Sequence, residues 1–196
     1  MRPAEPTGGA EVPWPGIAPR HRLRNHRNQS TLTRQIVIDA PADTVWEVIA
    51  GRFDRIGEWA TAIPTSSLGV ADLGLVNLDG PIAARVCETG IRALPQVTET
   101  IVAFDASNRS LTYQATDGMP AFLTAARNTW TVTALAATRC RVDIAAEFAT
   151  RGLLGRYASP VTLARVLRDG QHLLDDLKHY VETGTPPPRK LSWQSR

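Results

Sequence analysis

The sequence is poor in cysteine, lysine and long apolar runs, and each shortage removes a class of protein. Its two cysteines, Cys87 and Cys140, are too few and too far apart for a disulfide framework or a zinc module. No run of about 18 apolar residues exists, so no segment reads as a membrane span. The N-terminus shows no apolar stretch after its charges, so no secretory signal is read, and the expected location is cytoplasmic. Gly-x-Gly-x-x-Gly, Walker and Gly-x-Ser-x-Gly spacings are missing, which leaves no cofactor fingerprint and no esterase-type nucleophile. Neither a metal nor a cofactor is expected.

Of the 22 basic residues, only Lys178 and Lys190 are lysine. The formal charge of +3 is unevenly spread. Residues 1–34 hold six arginines against Glu5 and Glu11, a surplus of +4, so the remainder carries −1. The basic pI near 9.2 therefore belongs to the N-terminal segment. The near-neutral remainder points to an uncharged, apolar ligand.

What is present is an ordinary globular composition, 43% hydrophobic and 21% charged over 196 residues, enough for one domain with tails. Residues 1–32 contain five prolines, a Gly8-Gly9 pair and an Arg/His-rich stretch without periodicity, and read as a disordered tail. This tail is leader sequence, or makes at most weak contact with anionic membrane or nucleic acid. With only Trp14 for base stacking, sequence-specific nucleic-acid binding is not expected. A second polar tail is expected at 185–196, after Gly184 and the Pro186-Pro187-Pro188 run. The folded unit is then 33–184.

Within that unit a first strand begins at Arg34 and ends at Asp39. Pro41 favours a helix start, giving one short helix over 42–50 and a second over 53–63, closed by Pro64. Six strands are predicted at 67–71, 83–89, 96–104, 110–117, 122–134 and 139–149. The alternation is clearest where Trp130 and Val132 share a face opposite Thr129, Thr131 and Thr133. A long helix runs from Ser159 and Pro160 to Thr183. Leu163, Val166, Leu167, Gly170, Leu173, Leu174, Leu177, Tyr180 and Val181 keep a helical spacing along it. The fold class is therefore α+β: a curved antiparallel sheet of about six to seven strands wrapped around a long C-terminal helix, with two short helices after strand one. Such a sheet tends to leave a cavity beneath the helix.

Three stretches carry a family resemblance. Ile36 to Trp46 followed by Phe53 to Trp59, Ala84 to Gly90 followed by Val97 to Asp105, and Leu174 to Gly184 resemble the START-like (SRPBCC) superfamily. This is the helix-grip, birch-pollen-allergen-like fold, and the likeness is to its bacterial branch labelled polyketide cyclase/dehydrase. The resemblance implies the fold over about 34–184 and an apolar ligand, and leaves the ligand's identity open.

If strands 83–89 and 96–104 pair through a turn near residue 92, Arg85 and Glu99 face each other. On the outer face such a pair contributes little. On the inner face it orients a ligand or shifts a pKa, which makes the two residues candidate catalytic groups. Asn128 shares the parity of Trp130 and reads as an inward amide, satisfied either by protein or by ligand. Trp46, Trp59, Tyr113, Trp130 and Phe148 are core aromatics that double as candidate ligand contacts. His172 and His179, two turns apart beside the leucine stripe, read as rim histidines, with catalysis as the alternative. Three functions remain open: a monomer or weak dimer holding a hydrophobic or aromatic small molecule, a polyketide cyclase or dehydratase using the same cavity, and a chaperone-like interaction module.

Overall fold

The computed structural model describes residues 29–70, 82–92, 94–119, 123–151 and 159–194, with side chains of the long helix described from Gly170 onward. The Arg/His-rich segment up to residue 28, and the stripe positions Leu163, Val166 and Leu167, lie outside that description. Strand β1 (Gln29–Ile38) opens the fold. It starts five residues before the expected Arg34, because β7 (Arg139–Thr150) supplies antiparallel partners from Gln29↔Ala149 to Ile38↔Cys140. The alternation therefore extends back through Arg34 and Leu32, which share the inner face with Ile36 and Ile38.

Pro41, at φ −58° and ψ 142°, precedes α1 (Ala42–Trp46). The helix then widens into a π turn over Glu47–Gly51, one residue beyond the expected end at 50, and breaks at Arg52. A 3-10 segment, Phe53–Glu58, follows. It is shorter than the helix expected to reach Ile63, because the Thr61 N–H is taken by Asp176 Oδ2 at 2.8 Å instead of a preceding turn. These short helices bury Val45, Ile49, Phe53 and Ile56 against one end of the sheet.

The remaining strands are β2 (Ser66–Leu68), β3 (Ala84–Ile91), β4 (Leu94–Asp105), β5 (Ser110–Asp117) and β6 (Leu123–Ala136), followed by β7. All seven form one antiparallel sheet in the order β1-β7-β6-β5-β4-β3-β2. Only β1 departs from a simple meander, by pairing with the last strand. Helix α2 (Ser159–Thr183) ends where Gly184 adopts φ +70° and donates its N–H to Tyr180 O at 2.9 Å, the left-handed stop that glycine allows. Leu174 and Leu177 are fully buried under it, each worth about 1.5–3 kcal/mol of apolar transfer.

The C-terminus is not the polar tail read from its composition. Pro188–Gln194 forms helix α3. Lys190 is 1% exposed, and its ammonium donates to the carbonyls of Ala60 at 3.2 Å, Pro64 at 2.9 Å and Ile63. Arg189 NH2 lies 2.9 Å from Oδ1 of the buried Asp176, whose other oxygen holds Thr61. Polar chemistry anchors this segment, so an apolar periodicity never announces it.

Candidate functional site

A cavity of about 290 Å³ lies between the inner sheet face, the segment after the 3-10 turn, and α2. Leu32, Ile56, Ile63, Ile144, Phe148 and Leu173 form most of its apolar wall. Arg34, Arg85, Glu99, Tyr113 and Asn128 supply the polar groups. Gly170 faces it from α2, and among the described residues nothing lies within 4 Å of where a Cβ would stand. A glycine inside a helix costs about 1 kcal/mol relative to alanine; here the missing side chain is cavity space.

The pair read from the sequence is formed, and it is inward. Arg85 and Glu99 are register partners across β3 and β4. Arg85 Nε lies 2.6 Å from Glu99 Oε2, and its NH1 donates to Phe53 O at 3.0 Å. The guanidinium carbon stands 4.0 Å over the Phe53 ring and 4.8 Å from the Tyr113 ring centroid. Burial, the largest single influence, disfavours this cation, but the surrounding groups, Glu99 foremost, together more than offset it and leave the Arg85 pKa raised. Arg85 is therefore a permanent, well-oriented charge in an apolar wall.

Burial pushes the Tyr113 phenol above its ordinary range, with Glu99 adding to it and Arg85 opposing. The ring thus presents a neutral hydroxyl. Burial likewise pushes the Cys87 thiol up to about 12; Arg85 opposes the rise, and Glu99, whose Oε2 is 3.7 Å from Sγ, adds to it. A thiol held neutral in this way is no nucleophile. Phe53 and Tyr113 pack as tilted rings 5.5 Å apart, which fixes the aromatic floor under Arg85.

Five residues singled out in the sequence, Arg85, Glu99, Tyr113, Asn128 and Phe148, meet at this cavity. Three do not. Trp46, the last residue of α1, is partly buried against the edge of the core and packs on Phe104, ring centroids 5.6 Å apart. Trp59 and Trp130 are 3% and 2% exposed and border only a void of about 10 Å³, the size of a single water probe. His172 is a surface residue 2.7 Å from Arg189 NH1. Sequence reasoning overlooked Arg34 and Gly170 as site residues. The parity of Arg34 with Ile36 and Ile38, and a glycine in an otherwise leucine-rich stripe, were the available signals.

Among the described residues no helix is long and apolar enough to cross a membrane. Residues 29–182 match the family described as polyketide cyclase/dehydrase and lipid transport. The fold is similar to that of the Zhui aromatase/cyclase from Streptomyces, with a TM-score of 0.61 and 16% identity over 81% of this chain and 99% of that one. A START superfamily protein from Mycobacterium smegmatis matches at TM-score 0.60 and 13% identity over 79% and 99% of the two chains. A protein from Thermobifida fusca shares 27% identity at TM-score 0.55 over 78% and 95%. No curated protein matches the sequence. With more than three quarters of its length matched by the family and a fold like that of the START superfamily protein, the chain belongs to the polyketide cyclase/dehydrase and lipid transport family.

Proposed function

We propose that the protein binds a hydrophobic or aromatic small molecule in the cavity between sheet and α2, and that it holds or carries this molecule as a monomer or weak dimer. The cavity carries the proposal: its roughly 290 Å³ and mostly apolar wall, with a few convergent polar groups, have the character of a small-ligand site. Arg85 and the Tyr113 hydroxyl fix orientation, while Phe148, Ile144 and Leu173 supply apolar contact. The experiment is a fluorescence titration with N-phenyl-1-naphthylamine, a neutral aromatic probe that brightens on leaving water. Saturable one-to-one binding that vanishes in Gly170→Leu supports the reading. An unsaturable or absent response in the native protein overturns it.

A second reading, a polyketide cyclase or dehydratase, is favoured by the clustering of Arg85, Glu99, Tyr113 and Asn128 on one cavity wall. Guanidinium, phenol and amide donors polarise a ketone carbonyl, and a pocket that folds a flexible chain supplies proximity. Glu99, the carboxylate on that wall, is bonded to Arg85. Turnover of a linear poly-β-ketone mimic, reduced about tenfold or more in Tyr113→Phe, supports catalysis; an inert mimic leaves the binding reading alone.

A further inference from the structure

Resting on that cavity, we propose that its ligand carries an anionic group, and that Arg34 receives it. Arg34 stands on the inward face of β1, opposite Ile144 and two residues from Leu32, and it lines the cavity. Arg34 is half-buried at the cavity rim, where water screens its charge in part but no carboxylate of the described lining faces it. Arg85, the other cation of the cavity, is answered: it is bonded to Glu99 and to Phe53 O and covered by two rings. Glu99 is the one carboxylate among the described lining residues.

Arg34 is different. Among the described residues it forms no ion pair, and its one hydrogen bond runs from NH1 to the neighbouring Thr33 carbonyl at 2.9 Å. The described wall therefore holds two guanidinium groups and one carboxylate, a surplus of one positive charge. Most of the donor fork of Arg34 is available for an oxyanion, two of whose oxygens it can meet side by side. The ligand is thus an amphipathic monoanion, in place of the uncharged molecule expected from the near-neutral composition. Its apolar or aromatic body lies against Phe148, Ile144 and Leu173, and its acidic end meets β1.

Two matched probes test this on the full chain. N-phenyl-1-naphthylamine and 8-anilinonaphthalene-1-sulfonate differ by a single sulfonate. The native protein is expected to bind the sulfonate about tenfold more tightly than the neutral probe. Arg34→Gln is expected to erase that preference while leaving the neutral probe's affinity unchanged, which also reports that the variant is folded. Arg34→Lys, which keeps the charge without the fork, is expected to fall between. Arg139→Gln, an exposed arginine paired with Asp39, is expected to change neither affinity. Equal binding of the two probes to native protein overturns the anion site, as does a sulfonate preference that survives Arg34→Gln or falls equally in Arg139→Gln. Failure of the neutral probe to bind overturns the cavity reading itself, so the two failures are told apart.

Discussion

Arg85 and Glu99 sit directly opposite each other on β3 and β4, with Arg85 Nε 2.6 Å from Glu99 Oε2 and the pair turned into the protein. The side chains are 4% and 18% exposed. Removing one partner strands the other charge. Glu99→Gln is expected to lower the unfolding free energy by about 3 kcal/mol, since breaking a buried pair costs about 3–5 kcal/mol. Replacing both, as Arg85→Met with Glu99→Leu, is expected to recover most of that loss. Urea denaturation of the two variants measures it; a double variant no more stable than the single one contradicts this account.

That pairing was legible because strand register is arithmetic: two alternating runs and a tight turn leave few choices. The long helix and its stop at Gly184 were legible for the same kind of reason, an apolar period closed by a residue that tolerates positive φ. The depth of each aromatic was not. Trp46, Trp59 and Trp130 share the composition of a ligand-contact residue, yet they fill packing space: irregular helical turns orient the first two, and Trp130, inward on β6, meets Val48, Ile49 and Phe53 of those turns around a small void. Helix α3 was hidden because it docks by an ammonium on three carbonyls, a pattern that in sequence looks like a tail. Arg34 shares the parity of Ile36 and Ile38, but a charged side chain at the first position of an expected strand reads as a solvated end, not as a cavity group.

Gly170 couples stability to function. Gly170→Ala is expected to stabilise the fold by about 0.5–1 kcal/mol by removing backbone freedom in a helix, with no described residue in contact distance to oppose the added methyl. Gly170→Leu is expected to fill the cavity and abolish ligand binding while keeping the helix. Thermal unfolding and a probe titration on both variants check this. An alanine variant that is destabilised shows that the space beside Gly170 is already occupied.

Lys190 holds the segment that walls one side of the cavity. Lys190→Ala removes the ammonium from the carbonyls of Ile63 and Pro64 and leaves Ala60 O with the Ile63 N–H at 3.2 Å, and is expected to cost about 2 kcal/mol or more. Arg52→Ala removes an exposed contact 3.8 Å from Glu47 and is expected to cost under about 0.5 kcal/mol. Hydrogen exchange at residues 59–64 is expected to rise in Lys190→Ala alone. Unchanged protection there contradicts the anchoring role.

Alkaline pH tests the burial of Cys87. Its folded-state pKa is pushed up to about 12 by burial, while an unfolded cysteine ionises near about 8.5. Between those values the unfolded chain releases a proton that the folded chain keeps. Stability contributed by the neutral thiol is therefore present below about pH 8.5 and is lost as pH rises towards 12. Urea midpoints of the native protein are expected to fall more steeply above about pH 9 than those of Cys87→Ala. Parallel slopes contradict a buried, neutral thiol.

The most direct measurement is amide chemical-shift mapping of the full chain during titration with N-phenyl-1-naphthylamine. Shifts are expected to concentrate at Tyr113, Asn128, Ile144, Phe148, Gly170 and Leu173, which line the cavity from four elements. Residues on the outer sheet face, such as Thr112 and Thr129, whose hydroxyls pair 2.8 Å apart, are expected to stay in place. Shifts that fall on the outer face and spare Gly170 and Phe148 contradict a ligand held between sheet and helix.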